Sequence, residues 1–526
     1  MENNNRHFAP KIKKNENILA LKVKTESKGL GAIKTLVVLL LIMSQIAVLM
    51  LTYTYFARAF QWYFSLSVLL SMIACVHVLS SEYHGQAKAT WISFLMISFG
   101  FGYIIYFLSD KRVLFSKSKK KINKIQRATY DLQTQNNIEN INSTSVKSTC
   151  KYLYNSGKFV SHFDTKMKYF SSGAALFDSI IEDLRNADSF VFIEYFIISD
   201  GVLFTRILDI LKEKARAGVD VRIIYDDMGS HSTMKLKTKK DIISSGIKLQ
   251  SFNRLVPVFN IALNLRDHRK IVCIDGKIAY TGGANLADEY INEKRMHGYW
   301  KDEGIRIEGP AVDNLTIAFL NQWQFVTDKA IEYNDYIGLA KSYKNTSVCV
   351  PYVSGPHYNY SIAQNMYANQ IANAEEKLYI MSPYFIPDET ITNLIINKAR
   401  AGVDVRIILP DIADKKFVYI VSRNNAEKLM SHGVKLYTMT SSFVHSKVVL
   451  TETSTIIGSI NMDLRSFNQQ FESAVFTDDS AVIQDVEKDF EYTFDRCTEI
   501  TKNNSRRKKL SFRILAGLFN IISPFM

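Results

Sequence analysis

Two short stretches hold the residues best able to do chemistry. The first, "LRDHRKIVCIDG" at 265–276, sets His268, Lys270 and Asp275 around an apolar run. Alone it reads as a charged turn leading into a buried strand. The second, "FVHSKVVLTE" at 443–452, repeats the spacing with His445, Lys447 and Glu452. Each is followed by a small-residue turn ending in asparagine: Gly282, Gly283 and Asn285 in one, Gly458, Ser459 and Asn461 in the other. Brought together across a pseudo-two-fold axis, two imidazoles and two ammonium groups would surround one small space, with amide donors from Asn285 and Asn461. Such a space suits a phosphate diester. The lysines would neutralise its non-bridging oxygens. One imidazole would attack phosphorus and carry it covalently. The other would protonate the departing oxygen and then deprotonate the incoming one. Lysine charge takes the place that Mg²⁺ holds in other phosphoryl-transfer sites, so the reading calls for no metal and no cofactor. Each imidazole also needs an acid to fix its tautomer. Asp302 in "YWKDEGIRIEGP" and Glu472 in "QQFE" are the candidates.

The elements that must position these residues are themselves repeated. "KARAGVDVRII" occurs at 214–224 and again, letter for letter, at 398–408. The offset is 184 residues for this segment and 177 for the two histidines. Two copies of one module with small insertions explain both. Around each copy the pattern is strand, helix, strand: "SFVFIEYFI", "VLFTRILDILKEKARAG", "VDVRIIYDD" in the first, and "KLYIMSPYFI", "ETITNLIINKARAG", "VDVRIILPD" in the second. The fold class is therefore α/β, with two pseudo-symmetric halves and a largely parallel sheet in each. The shared segment is a helix end, a glycine turn and a strand. It receives no catalytic role, and Arg222 and Arg406 are expected to line an edge.

The flanks point to a membrane. Leu36–Phe56 and Phe60–Ser80 are apolar and long enough to cross a bilayer, and Thr90–Leu108 is a third apolar segment. Several such blocks in a row do not fit a cleaved signal peptide. Basic residues precede the first block and follow the third, so both flanks favour the cytoplasmic side, and three full crossings would separate them. The third block, with Gly100 and Gly102, is the one expected to be re-entrant. The chain thus divides into a basic N-terminal segment (1–35), a membrane region of two crossings plus the third segment (36–110), a basic juxtamembrane linker (111–150), two repeated halves (151–340 and 341–500) and a basic amphipathic tail (501–526). Lys plus Arg exceeds Asp plus Glu by 14, which favours an anionic partner. Cys75, Cys150, Cys273, Cys349 and Cys497 are scattered, with no Cys-x-x-Cys pair. That fits a reducing compartment rather than a disulfide framework.

At these residues the chain resembles the phospholipase D superfamily, and more narrowly the bacterial cardiolipin synthases. The resemblance is carried by "IEYFIISDG", "YDDMGS", "NLRDHRKIVCIDGKIAYTGGAN", "GYWKDEGIRIEGP", "SPYFIPDE", "FVHSKVVL" and "GSINMDLRSFNQQFE". It implies two phospholipase D-like halves that transfer a phosphatidyl group between two phosphatidylglycerol molecules, with release of glycerol. Carried over position by position, it makes His268, Lys270, Asn285, His445, Lys447 and Asn461 active-site residues, with His268 as nucleophile. Asp275 and Glu452 complete the two motifs and are counted with the catalytic residues; Gly283 and Ser459 are counted with Asn285 and Asn461 as substrate-binding.

Two features depart from the family pattern. Glu452 stands where an aspartate is expected, and His445 to Asn461 is 16 residues against 17 for His268 to Asn285. The expected partners are an anionic phospholipid and a bacterial cell membrane crossed more than once, with the catalytic region on the cytoplasmic side and no nucleic acid. Nothing in the sequence sets an oligomeric state. The acceptor stays open between a second lipid, water and another alcohol. A nuclease and a membrane scaffold with a decayed motif are the remaining alternatives.

Overall fold

The computed structural model describes residues 39–521 apart from 56, 82–84, 99, 110, 140 and 255–264. The expected basic segment at 1–35, the start of the first apolar block and the last five residues of the tail lie outside the described residues. The chain forms two compact units, Met1–Asp110 and Lys111–Met526.

In the first unit, α1 (Leu39–Tyr55) precedes α2 (Ala57–Leu79), α3 (Gly85–Ile97) and α4 (Gly102–Ser109). Within α2 the stretch Ala59–Leu79 has a mean hydropathy of 1.9. It is the one helix, among the described residues, long and apolar enough to cross a membrane. Leu66, Met72 and Val76 on α2 face outward, while Ala74 and Val78 pack against Trp91, Leu95 and Tyr106 of α3 and α4. The block Thr90–Leu108 is not one continuous helix. It breaks between α3 and α4, where Gly100 adopts a φ of +89° that a side chain would strain.

The second unit opens with α5 (Lys111–Ala128) and α6 (Thr144–Gly157). The first half then runs β1 (Lys166–Phe170), α7 (Gly173–Arg185), β2 (Phe190–Tyr195), α8 (Val202–Arg216), β3 (Asp220–Asp226), α9 (Leu236–Ser244), β4 (Lys248–Phe252), β5 (Arg266–Asp267), β6 (Lys270–Ile274), β7 (Ile278–Gly282), β8 (Tyr299–Lys301), β9 (Gly304–Glu308) and α10 (Val312–Thr327). The second half runs β10 (Cys349–Ser354), α11 (Ile362–Ala372), β11 (Lys377–Met381), β12 (Phe385–Ile386), α12 (Glu389–Arg400), β13 (Asp404–Pro410), α13 (Lys416–Leu429), β14 (Lys435–Met439), β15 (Ser442–Val444), β16 (Val448–Thr451), β17 (Thr455–Gly458), β18 (Met462–Asp463), α14 (Leu464–Asn468), β19 (Gln470–Thr477), α15 (Ser480–Phe494) and β20 (Cys497–Ile500), followed by α16 (Leu510–Ile521).

The two main sheets have the same strand order. It is β1-β9-β7-β6-β2-β3-β4 in the first half and β10-β19-β17-β16-β11-β13-β14 in the second, where β20 extends the far edge. Only part of each sheet is parallel, against expectation. β2, β3 and β4 run parallel, but β6, β7 and β9 form an antiparallel meander. The reason is local. β6 and β7 are joined by a three-residue turn, Asp275–Gly276–Lys277, which can only reverse the chain.

The repeated "KARAGVDVRII" does the same work twice. Leu203, Phe204, Ile207, Leu208 and Leu211 bury one face of α8. Gly218, at φ +93°, ends the turn after it, and Gly402, at φ +96°, does so after α12. Arg222 pairs with Asp220 and lies over Phe192, Trp323 and Tyr336; Arg406 pairs with Asp404 and lies over Tyr379 and Phe494. Both arginines stand on interior strands, β3 and β13, rather than at the sheet edge expected of them.

Two segments are more ordered than their composition suggests. Part of the polar stretch before residue 150 is α6, whose Val146, Cys150 and Leu153 are buried with Tyr352, Ile362 and Tyr367 of the second half. At the other end, Glu427 on α13 accepts hydrogen bonds from Ser505 and from the backbone of Arg506 and Arg507. That clamp seats α16 on α13, with Phe519 against Phe417.

Candidate active site

The chain is extended where each motif lies, so side chains alternate in direction. His268 and Lys270 share one side; Arg269 points the other way, into an ion pair with Glu194 at 2.6 Å and Asp267 at 3.0 Å. The second motif places His445 and Lys447 alike. The halves interlock through these segments. β5 pairs with β19, so Arg266 and Asp267 face Gln470 and Phe471. Reciprocally, β15 pairs with β8. The backbone N–H of His268 donates to the Phe471 carbonyl at 2.9 Å, and that of His445 to the Lys301 carbonyl at 2.7 Å. Thr281 and Ser473 hydroxyls meet between the halves at 2.9 Å.

This interlock crosses the carboxylates over. Glu472, of the second half, lies 3.0 Å from Nδ1 of His268. Asp302, of the first half, lies 2.7 Å from Nδ1 of His445. Each acid follows its own motif in the chain but serves the histidine of the other half. With Nδ1 held by a carboxylate, the Nε2 of each ring is left for chemistry. Phe196 sits against the ring of His268, and Tyr290 and Trp300 against that of His445.

The lysines are buried beside them. Nζ of Lys270 donates to the His268 carbonyl at 2.6 Å. Nζ of Lys447 donates to the His445 carbonyl and lies 2.8 Å from Nδ1 of His445. Burial, together with the other positive charges, pushes every base down. Lys270 falls to about 7 and His445 to about 4, while His268 falls well below its usual value, with Lys270, Lys447 and His445 all adding to its burial. The crossed contacts of His268 with Glu472 and of His445 with Asp302 are what bring the two motifs together. The acids diverge. Burial raises Glu472 to about 8. Asp302 is buried too, but the charges of His445 and Lys447 outweigh that and bring it to about 2. The two lysines thus stand among three buried carboxylates, Asp302, Glu303 and Glu472, beside two neutral imidazoles.

Four predicted residues have other duties. Asp275 accepts from the backbone N–H groups of Asp188, Ser189 and Phe190 at 2.8–2.9 Å. It sits at the far end of β6 from Lys270, five residues along an extended strand, about 16 Å away. Glu452 accepts from the N–H groups of Glu375, Glu376 and Lys377. Both are braces that tie the end of the motif strand to the start of the neighbouring one, and neither reaches the histidines. The longer glutamate bridges the shortened turn. Gly283 leaves room: a Cβ there would meet Asp302 at 2.2 Å. The Ser459 hydroxyl is spent on Glu472.

Asn285 is largely committed as well, accepting from the Ile197 N–H at 3.2 Å and donating to the Tyr290 hydroxyl at 2.7 Å. The side-chain oxygen of Asn461 is buried without a partner. Sequence reasoning missed Glu303, whose carboxylate accepts from the Lys447 N–H at 3.1 Å, and the aromatic rings that shelf the imidazoles. The Asp-Glu doublet in "WKDEG" is the signal that could have found Glu303.

Comparison with known proteins agrees with this geometry. The family described as "Cardiolipin synthase, PLD-like domain" matches residues 180–297 and 367–494, one match in each half. A cardiolipin synthase of Staphylococcus aureus is 32% identical over 456 residues, covering 84% of this chain and 92% of that protein. The chain belongs to the bacterial cardiolipin synthase family of the phospholipase D superfamily. Other family relatives include cardiolipin synthase 2 of Bacillus anthracis, 30% identical over 86% of this chain and 90% of that one. A protein of Streptococcus mutans with no described function is 33% identical over 80% of this chain and 87% of its own length. Among solved structures, phosphatidylserine synthase of Haemophilus influenzae superposes with a TM-score of 0.55 at 14% identity. It covers 73% of this chain and all of its own, and shows the fold. The reciprocal histidine–carboxylate pairs are thus set in a cardiolipin synthase family framework.

Proposed function

We propose that this chain makes cardiolipin, joining two phosphatidylglycerol molecules with release of glycerol. The observation that carries the reading is the crossed pairing of His268 with Glu472 and His445 with Asp302, which fits two oriented imidazoles facing one phosphorus. Nε2 of neutral His268 attacks the phosphorus of the first lipid. The bond to the glycerol oxygen breaks, and that oxygen takes a proton from His445. The phosphatidyl group then rests on His268. His445, now neutral, takes the proton from the hydroxyl of a second phosphatidylglycerol, whose oxygen attacks phosphorus and frees His268. Lys270 and Lys447 hold the non-bridging oxygens throughout. The unlike acids support this division of roles. Asp302 remains ionised and favours a proton on His445, but burial and the Lys447 charge hold His445 at about 4 in the empty site, so the negative charge of the bound phosphate must complete its protonation; Glu472, raised by burial, leaves His268 neutral.

The two halves are assigned to 151–340 and 341–500, the substrate is an anionic lipid rather than nucleic acid, and the membrane region is multi-pass with the catalytic unit on the cytoplasmic face. The exposed apolar side of α16, formed by Leu510, Ile514 and Leu518, supports contact with a bilayer. It follows a run of cations at Arg506–Lys509. The test is lipid mass spectrometry on purified protein in vesicles of phosphatidylglycerol alone. A four-chain lipid with an equivalent of glycerol is the expected product. Phosphatidic acid as the sole product would replace the synthase reading with a hydrolase.

A further inference from the structure

Two residues before His268, Arg266 is fully buried, yet its Nε and Nη2 groups have no hydrogen-bond partner. Its Nη1 donates to the Asn253 carbonyl at 2.9 Å and makes a long approach to Asp226 at 3.5 Å. Asp226 is shared, since its oxygens also accept from the N–H groups of Met228, Gly229 and Asp267. Arg465 lies close by. The Gln469 N–H donates to the Arg465 carbonyl, and Gln470 stands in register with Arg266. Nε of Arg465 is also buried without a partner. The nearby acid on its own segment, Asp463, caps the N–H of Ser466. The positive charge of Arg465, added to burial, lowers the affinity of Arg266 for its own proton. Two neighbouring guanidinium groups with unmet donors carry a desolvation cost that an anion would remove.

We infer that Arg266 and Arg465 form a second phosphate-binding subsite, which holds the phosphate of the acceptor lipid while its hydroxyl attacks at His268. The spacing fits. Arg266 and His268 lie two residues apart on the same side of an extended segment, which puts their Cα atoms about 6–7 Å apart. The two phosphates of the product are separated by a three-carbon linker of similar length. Arg465 is partly exposed. The inference rests on the cardiolipin reading for its chemistry, but its binding test does not need turnover.

Because Arg266 is buried, the test is placed on Arg465. Dihexanoyl phosphatidylglycerol titrated into the His268→Ala protein should bind with two equivalents, and with one in His268→Ala/Arg465→Gln. One equivalent in both, or two in both, would overturn the inference. Loss of the second equivalent to millimolar inorganic phosphate, with no selectivity for lipid, would assign the site to free phosphate and overturn the acceptor role. In the active protein, the ratio of cardiolipin formed to labelled glycerol exchanged into phosphatidylglycerol should fall at least tenfold in Arg465→Gln. It should return to within about threefold of wild type in Arg465→Lys. An unchanged ratio would contradict the role. Wild-type protein that makes no cardiolipin would sink the proposed function while the titration still decides the subsite.

Discussion

Replacing Asp275 by alanine should cost stability and leave catalysis nearly intact. The carboxylate closes three backbone N–H groups at the start of β2. Two of these belong to exposed residues, Asp188 and Ser189, where water can substitute. The third belongs to buried Phe190. Leaving that group unmet costs about 1–3 kcal/mol, and the loss of the charge-assisted bonds brings the total to roughly 2–4 kcal/mol. For a unit the size of Lys111–Met526 the melting temperature should fall by roughly 2–5 °C. Glu452→Ala should cost less, about 1 kcal/mol, because Glu375 and Glu376 are exposed and Lys377 is only half-buried. The assay is thermal melting of the detergent-solubilised protein, paired with kcat measured well below the transition. The order Asp275→Ala worse than Glu452→Ala, with kcat within about threefold of wild type in both, is the expected result. A hundredfold drop in kcat with an unshifted melt would show that Asp275 acts in the chemistry and that the brace is misassigned.

Further outcomes follow from the same geometry. Asp302→Asn should lower kcat by 10²–10⁴-fold, on the order seen when an orienting carboxylate behind a catalytic histidine is neutralised, with the melting temperature nearly unchanged; a mild effect would argue against the crossed pairing. Because Lys270 is brought down to about 7, it loses its charge as pH rises through that value, so kcat/KM should decline on the alkaline side far below the ordinary lysine range. Lys270→Arg should carry that decline to higher pH, and an unmoved limb would assign it to another group. Glu427→Ala removes the clamp on residues 505–507. Limited proteolysis between α13 and α16 should accelerate several-fold, and equal digestion rates would show that α16 is held by other contacts.

The repeated motifs made much of this architecture legible. "KARAGVDVRII" reads directly as helix end, glycine turn and buried strand, because each function is local and fixed by residue type. His268, Lys270, His445 and Lys447 were legible because alternation in an extended chain puts each pair on one side. What the sequence hid depends on contacts between distant segments. Asp302 and Glu472 follow their own motifs in the chain, and only the β5–β19 and β15–β8 pairings reveal that they cross over. Asp275 looks catalytic beside His268 on paper because strand length is not visible as distance. The stretch containing α6 looks like a linker because its burial is supplied by Tyr352 and Tyr367 from two hundred residues away. The antiparallel half of each sheet is masked by the strand–helix–strand units, although the short turn at Asp275–Lys277 announces it.

The shared phosphorus is tested most directly by trapping the covalent intermediate. A nitrophenyl ester of phosphatidic acid has a leaving group that needs no acid. His445→Asn protein should therefore accept the phosphatidyl group from it and fail to pass it on. Peptide mapping should find one acid-labile, base-stable phosphatidyl adduct, on His268, absent from the protein that also carries His268→Ala. An adduct on another residue, or rapid product formation with no adduct, would contradict the account.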